Sequence, residues 1–256
     1  MCKLRLILLI LLSFVLAGSA YEVRIWEDVD GNQVEGRFLR EMFGKLTIEA
    51  EDGGTRGFNL EELSEVDQKY LRVVVPPKIE VEVRSKTESI PDRPQYLKRD
   101  EDTFEHQVTV VVTKKSQRPF TSRLKADIFL IAEEVEGSNH ILLNRTENEF
   151  LLPTVTKGVE IEFKSSLVRT TVFRDIISQV MKGEDFQGYL VVISTLQDEI
   201  VLMDSNLPSW FEDPEIIENL RELSIRGAPS VRSRHFDKTG KKVPPPRPEY
   251  RPATAD

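Results

Sequence analysis

The sequence predicts a mainly β protein: a small barrel, then a broadly Ig-like antiparallel β-sandwich that ends in a helix. Three observations carry this. Short runs alternating apolar and polar residues recur between turn clusters, the period-2 signature of half-buried strands. Pro76-Pro77 interrupts the chain after Val73-Val74-Val75, and proline, which fixes φ and removes a donor, makes a good boundary. Near the C-terminus, Asp213-Pro214 opens a stripe of apolar residues at helical spacing that stops before Gly227.

A chain of 256 residues is long enough for two cores. Hydrophobic residues make up 39% and charged residues 30%, too apolar a mixture for wholesale disorder. The formal net charge is -8, which does not attract phosphate backbones and disfavours general nucleic-acid binding.

Residues 1–20 read as a cleavable secretory signal peptide. Lys3 and Arg5 form a basic start, Leu6 to Leu16 is an apolar run broken by Ser13, and Ala17-Gly18-Ser19-Ala20 supplies a small-residue cleavage site. An uncleaved anchor is the alternative, but the run is shorter than the roughly 20 apolar residues a bilayer needs. Tyr21 stands where a lipoprotein would carry cysteine. No later segment is long and apolar enough to span a membrane as a helix, so the expected location is periplasmic or secreted. The single cysteine, Cys2, lies inside the signal segment. The remainder has no disulfide or thiol chemistry, which suits bacterial export better than eukaryotic export.

Residues 21–75 form the first domain. Tyr21 to Trp26 is a strand, followed by turn chemistry at Asp28, Asp30, Gly31 and Asn32. Val34 to Leu39 resumes the extended pattern, and Gly44 marks a turn. Lys45 to Ala50 alternates, with Leu46 and Ile48 on one face. Asp52-Gly53-Gly54 turns again, Gly57 to Leu60 is a short strand, and Ser64 caps a helical turn through Leu71 with Asp67 at the capping-box position. Strands closed by a helical turn suggest a barrel.

Several of these residues also carry a resemblance: Arg24-Ile25-Trp26, Asp30-Gly31, Val34-Glu35-Gly36-Arg37-Phe38, Lys45-Leu46-Thr47-Ile48, Asp52-Gly53 and the closing run from Leu60 to Leu71, with Leu63-Ser64, Asp67-Gln68 and Tyr70-Leu71. In order and spacing this segment resembles the Sla-one homology domain one family, of the type found in exported planctomycete and verrucomicrobial proteins. The resemblance implies an SH3-like barrel and, from the family's endocytic member, binding of short Asn-Pro-Phe-containing peptides. It makes Trp26 and Phe38 candidate aromatic contacts and Arg24, Arg37 and Lys45 candidate basic ones. The competing expectation is that Trp26 and Phe38 are core and the basic residues a solvated face.

Residues 76–78 are the linker, and 79–226 the sandwich domain. Strands are expected at Ile79 to Val83, His106 to Thr113, Leu124 to Glu133, Asn139 to Asn144, Val159 to Lys164, Tyr189 to Thr195 and Glu199 to Asp204. Pro91 to Asp102 reads as a charged loop and Gln197-Asp198 as a hairpin turn. Thr171 to Met181 reads as a helix from Val172, Ile176, Ile177 and Val180, and Trp210 to Arg226 as a second, its stripe Ile216, Ile217, Leu220 and Leu223 packing on its own sheet or on a partner. Residues 227–256, basic and then proline-rich, read as a disordered tail.

No catalytic residue, cofactor or metal site is predicted. His106, His140 and His235 are too far apart in sequence for a zinc-protease motif. There is no Gly-x-Ser-x-Gly elbow and no phosphate-cradling glycine loop. Asp28 to Glu35 resembles a calcium loop only superficially, because its glycine is misplaced. Asp100-Glu101-Asp102 is a surface charge run. The leading expectation is a non-catalytic exported bacterial protein binding a peptide, a protein of the cell envelope or wall polymer. The alternatives are a structural subunit of a surface assembly with the second helix as interface, and a hydrolase whose carboxylates leave no local motif.

Overall fold

The computed structural model describes residues 21–42, 44–91, 101–154, 159–175, 179–225 and 234–245. The expected signal peptide lies outside them. The chain divides into two compact units, Met1–Val75 and Pro76–Asp256. It is mainly β, with antiparallel pairing throughout the described strands and few helices.

In the first unit, β1 (Val23–Glu27), β2 (Gln33–Met42), β3 (Lys45–Ala50) and β4 (Thr55–Asn59) form one sheet in chain order, followed by α1 (Glu65–Val73). The alternation that predicts β3 places Leu46 and Ile48 in a core with Trp26, Phe38, Leu63, Leu71 and Val75. Complete burial of such side chains stabilises by roughly 1.5–3 kcal/mol each. Gly36 sits where β2 crosses β3 closely: a Cβ there would lie 2.4 Å from the Glu49 carbonyl oxygen, so a larger residue would force the strands apart. Ser64 caps α1, its Oγ accepting from the Asp67 amide at 3.2 Å.

The second unit contains β5 (Ile79–Ile90), β6 (Glu101–Lys114), β7 (Arg123–Glu134), β8 (His140–Leu151), β9 (Glu160–Lys164), β10 (Val168–Arg174), β11 (Met181–Thr195), β12 (Ile200–Ser205), α2 (Pro214–Ile225) and β13 (His235–Phe236). Hydrogen bonding links the nine strands in the order β13-β8-β7-β11-β10-β6-β5, with β12 added to β11 and β9 to β6. β6 pairs with β10 through Glu101–Phe173 to His106–Val168, then with β9 from Thr109 to Thr113. The sheet folds over, so that Val108, Val110 and Val112 of β6 share a core with Ile128 and Leu130 of β7 and Val191 and Ile193 of β11. The alternate residues Phe129, Ile131, Leu190 and Val192 face the other way and pack under α2. Burial on both faces explains the unbroken apolar run from Ile128 to Ala132.

Three expectations are corrected. Thr171 to Met181 is not a helix. Its described residues include the end of β10 and the start of β11, because the Val- and Thr-rich run from Val168 to Val172 pairs with β6 on one side and β11 on the other. Ile176 and Ile177 lie outside the described residues. Gly183 has φ +115°, and a Cβ there would meet the Thr171 carbonyl oxygen at 2.0 Å, so glycine allows this crossing. Second, Glu101 and Asp102 are not loop residues but open β6. Third, the tail is ordered where it is described: His235 and Phe236 add β13 to β8, and Phe236 is fully buried. Its Pro246, Arg247 and Pro248 lie outside the described residues.

The C-terminal helix follows its sequence signals. Asp213 Oδ1 accepts from the Glu215 amide at 2.8 Å, Pro214 is the first helical residue, and Ile216, Ile217, Leu220 and Leu223 are buried against the chain's own sheet.

Candidate recognition surface

The five predicted contact residues separate into two groups. Trp26 and Phe38 belong to the core and are 0% and 6% exposed. This corrects their assignment as aromatic contacts, since both rings pack with Leu46, Ile48, Leu63, Leu71 and Val75 in the interior of the unit. Trp26 Nε1 donates to the Gly36 carbonyl at 3.0 Å, which satisfies the indole in its buried position.

Arg24 shares the inner side of β1 with Trp26 and is also held within the unit. Its guanidinium pairs with Asp67 and lies over the Tyr70 ring, 3.8 Å from the centroid, with Trp26 at 4.8 Å. Asp67, 1% exposed, also accepts from the Glu27 amide at 2.7 Å and from Ser64 Oγ at 3.1 Å. In a capping box the third residue would bond the cap residue's amide. Here that amide donates to the Glu27 carbonyl at 2.8 Å, and the Asp67 carboxylate fastens α1 to β1 instead. The motif from Arg24 and Trp26 to Ser64, Asp67 and Tyr70 is thus a clasp between strand and helix. Sequence reading found the cap but missed the clasp. The available signal was that Asp67 and Tyr70, three apart, share one helix face.

Arg37 and Lys45 lie on the opposite side of the sheet. Register places Val23 beside Arg37, Ile25 beside Glu35, Arg40 beside Thr47 and Met42 beside Lys45. All of these except Thr47 are exposed. Val23, Ile25 and Met42 are 49%, 55% and 50% exposed. Arg37, Arg40 and Lys45 form no ion pair or side-chain hydrogen bond with the described residues. The result is an open face on which unpaired cations flank exposed aliphatic side chains. Arg40 and Met42 escaped notice because a bulge between Phe38 and Arg40 shifts the alternation by one residue.

The remaining candidate chemistry is accounted for. The Asp28 carboxylate accepts from the Asp30 and Asn32 amides and from Asn32 Nδ2, at 3.0, 2.8 and 2.8 Å. These bonds hold it below the usual carboxylate range and make the segment a hairpin turn. Among the described residues no group of three or more His, Cys, Asp or Glu side chains is arranged to hold a metal. Glu134 and Glu184 face each other across β7 and β11. Burial pushes both up. Glu134 is engaged by Asn139 Nδ2 at 3.0 Å and faces His235 Nε2 at 3.2 Å.

No protein-family model and no curated protein matches the chain. Solved structures with some likeness include a crystal structure from Akkermansia muciniphila, at 15% identity and TM-score 0.23, covering 54% of this chain and 76% of that one. Another is the beta-D-glucoside glucohydrolase of Trichoderma reesei, at 14% identity and TM-score 0.25, covering 50% of this chain and 18% of that one. A third is the structural-genomics target SoR45, at 11% identity and TM-score 0.19, covering 50% of this chain and 86% of that one. None of these low-scoring likenesses bears on what the chain does. No helix among the described residues is long and apolar enough to cross a membrane.

Proposed function

We propose that this is a non-catalytic bacterial protein, exported by its N-terminal signal, that binds a peptide, a protein of the cell envelope or wall polymer through its first unit. In this reading the first unit is an SH3-like domain of the Sla-one homology type and the second an Ig-like scaffold. The observation that carries it is the open sheet face, where Arg37, Arg40 and Lys45 have no partner within the described chain beside exposed Val23, Ile25 and Met42. Long cationic side chains without internal partners beside aliphatic surface suit an anionic or polar partner with some apolar character. The binding set therefore moves from Trp26 and Phe38 to this face, while Arg24 becomes part of the clasp. The alternative of a structural subunit docked through the second helix loses its support, because the apolar stripe of α2 packs on the chain's own sheet.

The test is capture from soluble and wall fractions of the source cell envelope, with the protein lacking residues 1–20 as bait. The comparison is the R37E/K45E variant. Specific retention by the parent that the variant loses supports the reading. Equal retention by both moves the search to the second unit.

A further inference from the structure

The segment from Arg234 to Val243 folds back as a strap over one edge of the large sheet. Arg234 donates from Nη1 to the Leu143 carbonyl at 3.1 Å, and its own carbonyl accepts from the Leu142 amide at 3.0 Å. Phe236 enters the apolar layer under α2, and the turn from Asp237 to Lys241 is tied to the helix by Asn219 Nδ2 donating to the Thr239 carbonyl at 3.1 Å. Beneath the strap lies His140, 8% exposed, its ring 5.1 Å from Trp210, 5.4 Å from Phe211 and 5.6 Å from Phe236. Neither of its ring nitrogens has a hydrogen-bond partner among the described residues. A buried imidazole without such partners tolerates a proton poorly.

We propose that the strap is an acid-released latch and that His140 is its sensor. The groups facing His140 set the sign. Burial holds its protonation below the ordinary histidine value, and Lys238 on the strap acts in the same direction, while Glu133 on β7 opposes them. The 3₁₀ turn from Ser209 to Glu212 contributes the Trp210 and Phe211 rings. Once the strap lifts, Phe236 and Lys238 leave and the ring regains access to water. The closed form is therefore fully favoured above the ordinary histidine value and loses that advantage as pH falls through it. His235, the neighbouring histidine of the strap, makes a different contact, facing Glu134 at 3.2 Å. The two histidines are thus separable by mutation.

The test is hydrogen exchange read by mass spectrometry on the full chain, with protection of residues 234–243 expressed relative to β7 at pH 7.5 and 5.5. The parent should lose protection several-fold on acidification. H140F, which keeps the ring packing but not the titration, should lose none, and H235Q should keep the acid loss. As a surface variant that leaves His140 in place, K238E should shift the loss to lower pH. Protection that is independent of pH in the parent, an equal acid loss in H140F, or an unmoved transition in K238E would overturn the proposal.

Discussion

Both units hold a helix against a sheet with a buried aspartate and arginine, but they surround that pair differently. In the small unit Asp67 meets one arginine, Arg24, whose side chain is 21% exposed, beside an apolar core of seven buried side chains. In the large unit Asp127 is 0% exposed and meets two arginines. Arg145 reaches it at 2.7 Å and Arg221 at 3.0 Å, with Arg221 also bonded to Asp198 at 3.1 Å and to Ser194 at 3.3 Å. There the apolar stripe of α2 provides the attachment and the ionic network fixes its register. The small helix, with Asp67 and Leu71 as its buried residues, depends on its clasp for attachment as well as register.

Removing each aspartate tests that contrast. D127A should have the largest effect, about 3–5 kcal/mol, because it removes the buried carboxylate that joins two buried guanidiniums and leaves them only the more exposed Asp198, Glu218 and Glu147 as acidic partners among the described residues. D67A should cost less in absolute terms, about 2–3 kcal/mol, since Arg24 can turn toward water. It should nevertheless unfold its unit at a lower denaturant concentration, because the small core holds less reserve. Urea melts followed through Trp26 in W210F and through Trp210 in W26F read the two units separately, as the chain has only 2 tryptophans. If D67A leaves the Trp26 transition unmoved, the clasp is not what holds α1.

The same contrast explains what was legible in the sequence. Elements with a local cause could be read directly: β3 from its alternation, the turns from Gly and Asn, α1 from Ser64, and α2 from Asp213-Pro214. Where partners are distant in sequence the local pattern misled. Val172 and Val180 have helical spacing, but the run before them pairs with β6 some sixty residues away, and tertiary pairing overrides local periodicity. Phe236 lies in the segment that reads as a disordered tail, and only the distant edge of β8 gives it a place. The site was half legible. Arg37 and Lys45 were found as exposed cations, while the clasp role of Arg24 requires α1 to be laid across β1, which no local pattern reveals.

Protonation should sharpen the comparison at the next level. The 3 histidines all lie in the second unit. Burial lowers both His106 and His140, so their folded forms bind protons less readily than the unfolded chain does. Their contribution is complete above the ordinary histidine value and is lost as pH falls through it. Glu134 and Glu184, which burial pushes up, act in the opposite sense at lower pH and offset part of that loss. The small unit has no histidine, and its hydrogen-bonded Asp28 weakens only when pH falls through the carboxylate range. Between pH 7.5 and 5.5 the Trp210 transition should therefore move to lower urea while the Trp26 transition stays put. H106L/H140F should flatten the first. Movement of the Trp26 transition in this window would break the distinction.

The smallest expected change in stability is also the most informative about function. R37E/K45E replaces two exposed side chains that have no partner in the described chain, so the Trp26 melt should stay within about 0.5 kcal/mol. The Glu49 carboxylate opposite Arg37 in register would then face a like charge, which sets a small destabilising sign. If these cations exist for a partner, the variant separates the two properties of the sheet: the clasp face keeps the fold and the open face loses its ligand. A melt displaced by more than about 1 kcal/mol would mean that the open face contributes to stability as well. Loss of binding by the variant could then be assigned to the surface only after R37Q/K45Q, which removes charge without adding repulsion, had reproduced it.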